Sequence, residues 1–213
     1  METEKAKKII EILKKTYPEA KCQLNYSTPF ELLTATILSA QTTDKKVNVV
    51  TTKLFEKYDT PYKILKLSQN ELQDYIREIG LYRNKAKNIL AMCKILTEEY
   101  DGKVPQNMEE LIRLPGVGRK TADVVLSNAF NIPAIAVDTH VFRVSNRIGL
   151  ANSKNVYETE KQLMKSIEKK EWSLSHHLLI FHGRNVCTAR NPKCSACVIR
   201  QYCNYMADIS QNV

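Results

Sequence analysis

The chain has 213 residues, of which 43% are hydrophobic and 26% are charged, a composition that is typical of globular proteins and excludes a largely disordered chain. Its 32 Lys and Arg residues outnumber 23 Asp and Glu residues, for a net charge of +9. This excess suits a polyanionic partner such as nucleic acid, although basic proteins without such a partner also exist. No apolar run approaches the roughly 18 residues of a membrane span, and no signal peptide is evident. We therefore expect an intracellular protein.

Helical periodicity runs through the chain from its first residues. Apolar side chains recur three and four positions apart in 6–17 and again in 72–79, as in amphipathic helices. The segment 29–40 is apolar on almost every side, which predicts a helix at the centre of a bundle. A short apolar run at 134–137 is the best strand candidate, but it stands alone and is better explained as a buried extended linker. The sequence predicts an all-α fold.

Start and stop signals divide this pattern into about ten helices with short connections. Capping boxes, in which a Glu follows the capping residue by three positions, are predicted at Thr28, Ser68 and Asn107. Glycines lie where helices are expected to end, at Gly80, Gly102 and Gly149.

The segment "LPGVGRKTADVVL", residues 114–126, brings two glycines close to a lysine. It is not a nucleotide-binding P-loop, because Arg119 separates Gly118 from Lys120 and a helix, not a strand, precedes it. We interpret residues of about 107–129 as two helices joined by a tight hairpin. Main-chain N–H groups of such a hairpin can bind a DNA phosphate without reading the bases. The candidate contacts are Gly116, Val117, Gly118 and Arg119.

Lys120 then lies in the first turn of the second helix. The helix dipole and the neighbouring Arg119 both disfavour a cation there, and a free amine is a nucleophile toward sugar C1′. The residues alone equally allow a lysine that binds phosphate. Asp138, in "IAVDTHVFRV", is predicted to be a helix N-cap. A carboxylate held in this way can accept a proton or stabilise a cationic sugar, with capping alone as the alternative.

Four cysteines near the end follow the spacing C-x6-C-x2-C-x5-C: Cys187, Cys194, Cys197 and Cys203. Disulfides are rare in a reducing cytosol, and structural zinc usually takes two separated pairs of ligands. An iron–sulfur cluster tolerates uneven loops, because each thiolate reaches a different corner, but zinc stays open on chemistry alone. Arg190 and Lys193 lie between these ligands and either meet a phosphate backbone or form a solvated loop. Cys22 and Cys93 are expected to be small core residues.

Together these motifs resemble the helix–hairpin–helix DNA glycosylases and, within them, the endonuclease III family. "LPGVGRKTA", "VDTHVFRV" and the cysteine tail occur in that order over the whole chain. The resemblance implies two helical lobes with a DNA cleft between them. One is a six-helix domain with the hairpin, residues 22–132. The other combines 1–21 with 133–213 and holds a [4Fe-4S] cluster on the four cysteines of 187–203.

The resemblance also implies an activity. The enzyme would remove oxidised pyrimidines from duplex DNA and cleave the strand 3′ to the abasic site by β-elimination. Lys120 would form the Schiff base and Asp138 would assist. Gln41 and Leu81 match family positions that fill the gap left by the flipped base, whereas a polar loop residue and a core leucine are the plain alternatives.

The implied partner is double-stranded DNA that contains oxidised pyrimidines or abasic sites, and no membrane is involved. We expect a monomer in the cytoplasm, associated with the nucleoid. Two alternative functions are also compatible with the sequence. One is a monofunctional glycosylase of the same fold, although the relatives of that kind in this branch lack the lysine at position 120. The other is a non-catalytic DNA-binding protein with a structural metal cluster.

Overall fold

The computed structural model describes residues 2–211, and in this range it contains α-helices, short 3-10 helices and no β-strand. The predicted all-α fold is confirmed. The α-helices, in chain order, are α1 (Glu2–Thr16), α2 (Pro29–Ser39), α3 (Asp44–Phe55), α4 (Pro61–Ile64), α5 (Gln69–Ile76), α6 (Tyr82–Glu99), α7 (Met108–Arg113), α8 (Arg119–Ala129), α9 (Thr139–Ile148), α10 (Val156–Ser166), α11 (Trp172–Asn185) and α12 (Asn204–Gln211). Within the described range, none of the helices has the length and apolar character needed to cross a membrane.

The chain divides into two compact units, one formed by residues 23–132 and the other by the segments before and after them. In the unit of residues 23–132, α2 is the central helix. Its side chains are buried continuously from Phe30 to Leu38, and it packs against α3, α6 and α8. A helix that is apolar on all sides can be satisfied only in such a position. The prediction of a central helix over 29–40 is therefore confirmed.

In the other unit, α1 packs against α10 and α11, and α9 packs against both α10 and α11. Apolar side chains of these helices, including Ile9, Leu13, Val141 and Leu178, form one buried core. The run Ala134–Val137 is buried and belongs to neither a helix nor a strand. This confirms the interpretation of that run as a linker, and it leads directly into the start of α9.

The helix caps follow the sequence signals with two corrections. Ser68 and Glu71 form a complete capping box at the start of α5. At α2 the predicted box is incomplete, because the Glu31 carboxylate accepts the N–H of Ser27 instead of the N–H of the capping Thr28. At α7 the Glu110 carboxylate accepts from the side-chain amide of Asn107. Thr28 and Asn107 nevertheless cap their helices, because the side chain of each accepts one main-chain N–H group of the first turn.

A buried histidine makes the stability of this fold depend on pH. Burial, assisted by the neighbouring His176, lowers the pKa of His177 to about 3, whereas an unfolded histidine has a pKa of about 6.5. As the pH falls through 6.5, His177 becomes protonated in the unfolded chain but stays neutral in the folded one. The free energy of unfolding therefore decreases. The contribution is complete above that pH and is lost progressively toward a pH of about 3.

We expect His177 to lower the free energy of unfolding by about 1.4 kcal/mol when the pH falls from 7.5 to 5.5. Denaturant unfolding of the wild type and of His177→Gln at both pH values measures this, since glutamine does not titrate. The variant should lose less stability on acidification than the wild type by about that amount. Equal losses in the two proteins would contradict the assignment.

Candidate functional site

The glycine hairpin joins α7 to α8 as the sequence predicted. α7 ends before Leu114, whose carbonyl accepts the N–H of Val117 at 3.0 Å. Gly116 has a φ of +82°, and a Cβ placed there would lie 3.1 Å from Cβ of Asn88, so both the turn and the close approach of α6 require glycine. Gly118 is the N-cap of α8 and, having no side chain, leaves the first N–H groups of that helix without a side-chain cap.

Lys120 is the second residue of α8 and is exposed, as are Gly116, Gly118 and Arg119 beside it, while Val117 is buried. The hairpin therefore presents N–H groups and two cationic side chains on one short segment. Main-chain donors at a helix N-terminus, joined to such charges, are suited to an anion such as a phosphate. A ligand whose phosphate binds at this hairpin would bring its neighbouring carbon atoms close to the exposed amine of Lys120.

Asp138 is the N-cap of α9, which confirms the predicted cap. Its Oδ1 accepts N–H groups from His140 and Val141, each at 2.8 Å, and the residue is half-buried. These bonds hold the carboxylate in one orientation. His140 is half-buried as well, its Nδ1 lies 3.2 Å from the guanidinium of Arg143, and burial lowers its pKa. Lys120 and Asp138 belong to different units of the chain.

The four cysteines of 187–203 occupy one compact segment after α11. All four are free thiols; Cys187 is buried and the other three are half-buried. Burial raises the pKa of the Cys197 and Cys203 thiols, and the negative charge that neighbouring cysteines carry as thiolates raises it further.

Two arginines of α9 hold this segment. The Arg143 side chain donates to the carbonyls of Cys187 and Gly183, each at 3.0 Å. The Arg147 side chain donates to the carbonyls of Thr188, at 2.7 Å, and Ala189, at 3.0 Å. The helix that is capped by Asp138 thus also positions the cysteine segment.

Sequence reasoning gave no role to His182, yet this residue faces one of the thiols. His182 Nε2 lies 3.5 Å from Cys197 Sγ and its Nδ1 lies 3.1 Å from Oη of Tyr17. Burial lowers the pKa of His182 to about 4, so the imidazole is neutral at pH 7. Arg147 reaches a second sulfur, that of Cys187, at 3.6 Å. No local spacing signal could have identified these contacts, because the partners are far apart along the chain.

The remaining predicted contacts are all exposed. Arg190 and Lys193 project from the loop between Cys187 and Cys194. Gln41 follows α2 and Leu81 precedes α6, and both have positive φ values, of 57° and 58°. Of the two isolated cysteines, Cys93 is a core residue as predicted, whereas Cys22 is only half-buried.

Comparison with known proteins gives this geometry a family. A model described as "HhH-GPD superfamily base excision DNA repair protein" matches residues 34–169, and one described as "Iron-sulfur binding domain of endonuclease III" matches residues 187–203. The chain is 53% identical over 188 residues to endonuclease III of Bacillus subtilis, covering 88% of this chain and 86% of the relative. It is 51% identical over 205 residues to endonuclease III of Rickettsia felis, covering 96% of each. The chain belongs to the endonuclease III family.

Solved structures agree with this assignment. The fold matches "Structure of a Trapped Endonuclease III-DNA Covalent Intermediate: Estranged-Adenine Complex" with a TM-score of 0.92, 49% identity and 98% coverage of both chains. As a member of the endonuclease III family, the protein is a bifunctional DNA glycosylase and abasic-site lyase of base excision repair. It carries a [4Fe-4S] cluster.

The cysteine segment fits the cluster of the endonuclease III family. Four free thiols in one segment are the donor set that [4Fe-4S] clusters use. Among the side chains of residues 3–207, which the structure describes, no three of Cys, His, Asp or Glu meet closely enough to hold a single metal ion. A cluster does not need such convergence, since each thiolate binds its own iron. Held by these four thiolates, the cluster would cross-link the segment between α11 and α12.

Loss of one thiol should therefore remove the cluster. We expect Cys197→Ala to lose the visible absorption and the iron content of the purified protein, because three thiolates leave one iron without its ligand. Cys93→Ala is the matched control: it removes a buried thiol of the other unit and should retain both signals. Full iron content in Cys197→Ala would show that Cys197 is not a ligand.

Proposed function

We propose that the enzyme removes oxidised pyrimidines from duplex DNA and cleaves the strand 3′ to the resulting abasic site through a Schiff base on Lys120. The observation that carries this proposal is the exposure of Lys120 on the first turn of α8. This turn directly follows the glycine hairpin, and its N–H groups have no side-chain cap. A lysine that forms a covalent bond with DNA needs such access, and a relative of this fold has been trapped as a covalent DNA intermediate.

In the proposed reaction, Lys120 Nζ attacks C1′ of the damaged nucleotide, and the glycosidic bond breaks as the base departs with its electron pair. Asp138 accepts the proton that the amine releases and stabilises the positive charge that develops on the sugar. Its fixed orientation at the start of α9 supports this role, because a carboxylate that is already held in place loses little freedom in the transition state.

The C1′–O4′ bond of the sugar then breaks, and O4′ takes up the proton that Asp138 accepted, which leaves a protonated imine between C1′ and Lys120. This imine withdraws electrons from the sugar and acidifies the hydrogen at C2′. Removal of that proton is followed by loss of the 3′ phosphate, which breaks the strand on the 3′ side. Water then hydrolyses the imine and returns Lys120 as a free amine. No step of this sequence uses the cluster, whose proposed part is to hold the cysteine segment.

The DNA contacts are proposed from chemistry and exposure. N–H groups of Gly116, Gly118 and Arg119 bind a backbone phosphate, whereas the N–H of Val117 is already bonded to the carbonyl of Leu114. Arg190 and Lys193 add charge from the cysteine segment. Gln41 and Leu81 fill the space that a flipped nucleotide leaves in the base stack. Contacts of this kind recognise a duplex independently of its sequence. The proposed enzyme acts as a monomer in the cytoplasm, on DNA of the nucleoid.

A trapping experiment tests the proposal. The protein is incubated with a duplex that carries one thymine glycol, in the presence of borohydride, and the products are separated on a denaturing gel. We expect a covalent protein–DNA band, together with strand cleavage when borohydride is left out. An undamaged duplex of the same sequence is the control and should give neither product. Absence of the band from both the lesion duplex and a duplex with an abasic site would overturn the proposal.

A further inference from the structure

Four exposed residues in the unit of residues 23–132 that are not glycine have positive φ values, and two of them are Asp101 and Asn131, types that adopt this conformation readily. The other two have side chains that disfavour it. Gln41 and Leu81 have φ values of 57° and 58°, in the left-handed region where Cβ crowds the backbone. Leu81 is also 58% exposed although its side chain is apolar. Such conformations persist only where the surrounding structure enforces them, and they concentrate at functional sites.

The two strained residues lie in adjoining loops. Gly80 immediately precedes Leu81, and a Cβ placed on Gly80 would lie 3.6 Å from the carbonyl oxygen of Gln41 and 3.7 Å from Oγ1 of Thr42. These distances show that the two loops lie next to each other. The loop after α2 and the loop before α6 therefore form one surface element, which we name the two-loop element (residues 40–43 and 77–81).

A single buried lysine is bonded to both loops. Lys85 Nζ donates to the carbonyl of Leu38 at 2.9 Å and to the carbonyl of Ala40 at 2.5 Å. The main-chain N–H group of Lys85 donates to the carbonyl of Leu81 at 3.1 Å. The ammonium thus ends α2 just before Gln41, while the main chain of the same residue begins α6 just after Leu81. Lys85 is only 5% exposed.

A charged group at this place has a cost that a simple packing role would not justify. Burial lowers the pKa of Lys85, because its charged form loses solvation, and both acceptors are neutral carbonyl oxygens. Part of the cost is offset, since the last carbonyls of a helix lack partners and attract a cation. An unbranched apolar side chain such as methionine would fill the same space without that cost. What the ammonium adds is the position of the two carbonyls that lead into Gln41.

We propose that Lys85 is a positioning residue that holds Gln41 and Leu81 in their left-handed conformations. The two-loop element, which fills the gap in the base stack, is then already formed before DNA binds. The inference rests on the proposed function, which assigns Gln41 and Leu81 to that gap. Lys85 acts through these two residues and contacts neither the DNA nor the reacting atoms. Preformed contacts of this kind spare the enzyme the ordering of two loops on each encounter with DNA.

The test compares Lys85→Met with Lys87→Met, an exposed lysine of the same helix, so that both variants lose one positive charge. We expect kcat/KM for a duplex with one thymine glycol to fall about tenfold to a hundredfold in Lys85→Met, the scale of effect that small misplacements produce, and to stay near the wild-type value in Lys87→Met. Fluorescence of 2-aminopurine placed opposite the lesion, which rises as that base unstacks, should rise less with Lys85→Met.

Coupling to Leu81 separates positioning from general damage. If Lys85 works by holding Leu81, the losses caused by Lys85→Met and Leu81→Ala will not add in the double variant. Additive losses, or equal kcat/KM values for Lys85→Met and Lys87→Met while the wild type is active, would overturn the inference. A wild type that forms no covalent adduct would instead overturn the proposed function. Should Lys85→Met not fold, Lys85→Gln, whose amide can still donate to one carbonyl, should show a smaller loss of the same kind.

Discussion

Replacing Lys120 by alanine is expected to abolish both the covalent DNA adduct and strand cleavage. The amine is the group that forms the imine, and loss of a nucleophile lowers the rate at least about a thousandfold. The fold should be unaffected, since Lys120 is exposed on a helix in which alanine is favourable. We expect unfolding free energies within about 0.5 kcal/mol of each other for the two proteins. Single-turnover cleavage of a duplex with one thymine glycol provides the measurement.

Lys120→Arg distinguishes bond formation from phosphate binding. Arginine keeps the positive charge and binds phosphate well, but it stays protonated at neutral pH and is not a nucleophile. We expect the arginine variant to bind the lesion duplex and to give no adduct with borohydride. Retention of strand cleavage by Lys120→Arg would mean that the lysine serves only to hold the backbone, as its sequence context alone would allow.

Replacing Asp138 by asparagine should lower kcat about a hundredfold or more while the fold stays intact. Asparagine caps a helix as well as aspartate does, so the bonds to the N–H groups of His140 and Val141 can be kept. The neutral amide cannot accept the proton of the attacking amine, and general acid–base groups contribute about 10²–10⁴ in rate. Steady-state kinetics with a lesion duplex, together with thermal unfolding of the same samples, measures both quantities.

Asp138→Ala serves as the comparison because it removes the cap along with the charge. It should share the kinetic loss of Asp138→Asn and in addition lose about 1 kcal/mol of stability. Wild-type kinetics in the asparagine variant would show that Asp138 is a cap and nothing more. That outcome would leave Lys120 as the one catalytic residue proposed for the chain.

Features that depend on neighbouring residues were predictable from the sequence. The caps at Ser68 and Asp138 and the hairpin at Gly116 depend on hydrogen bonds and steric limits that act within about four residues. The capping box predicted at Thr28 failed in part because Glu31 had a choice of two adjacent N–H groups. Spacing alone cannot decide between such partners.

The cluster segment shows the same division. The spacing of Cys187, Cys194, Cys197 and Cys203 is local, so the sequence alone indicates a metal centre. The second layer of contacts was not predictable. His182, in α11, contacts Cys197, which is 15 residues further along the chain. Arg147 donates to the carbonyl of Thr188, which is 41 residues away.

By itself, the sequence determined the helical class, most helix ends, the hairpin that presents Lys120 and the residues suited to hold a cluster. Each of these follows from the chemistry of a short stretch of chain. Tertiary structure alone decided that Lys85 is buried with its ammonium on the carbonyls of Leu38 and Ala40. In the sequence Lys85 and Lys87 are equivalent members of a basic helix. Which lysine faces inward, and which carbonyls it meets there, depends on how α6 packs against α2, because distant residues are brought together only when their helices bury a common face.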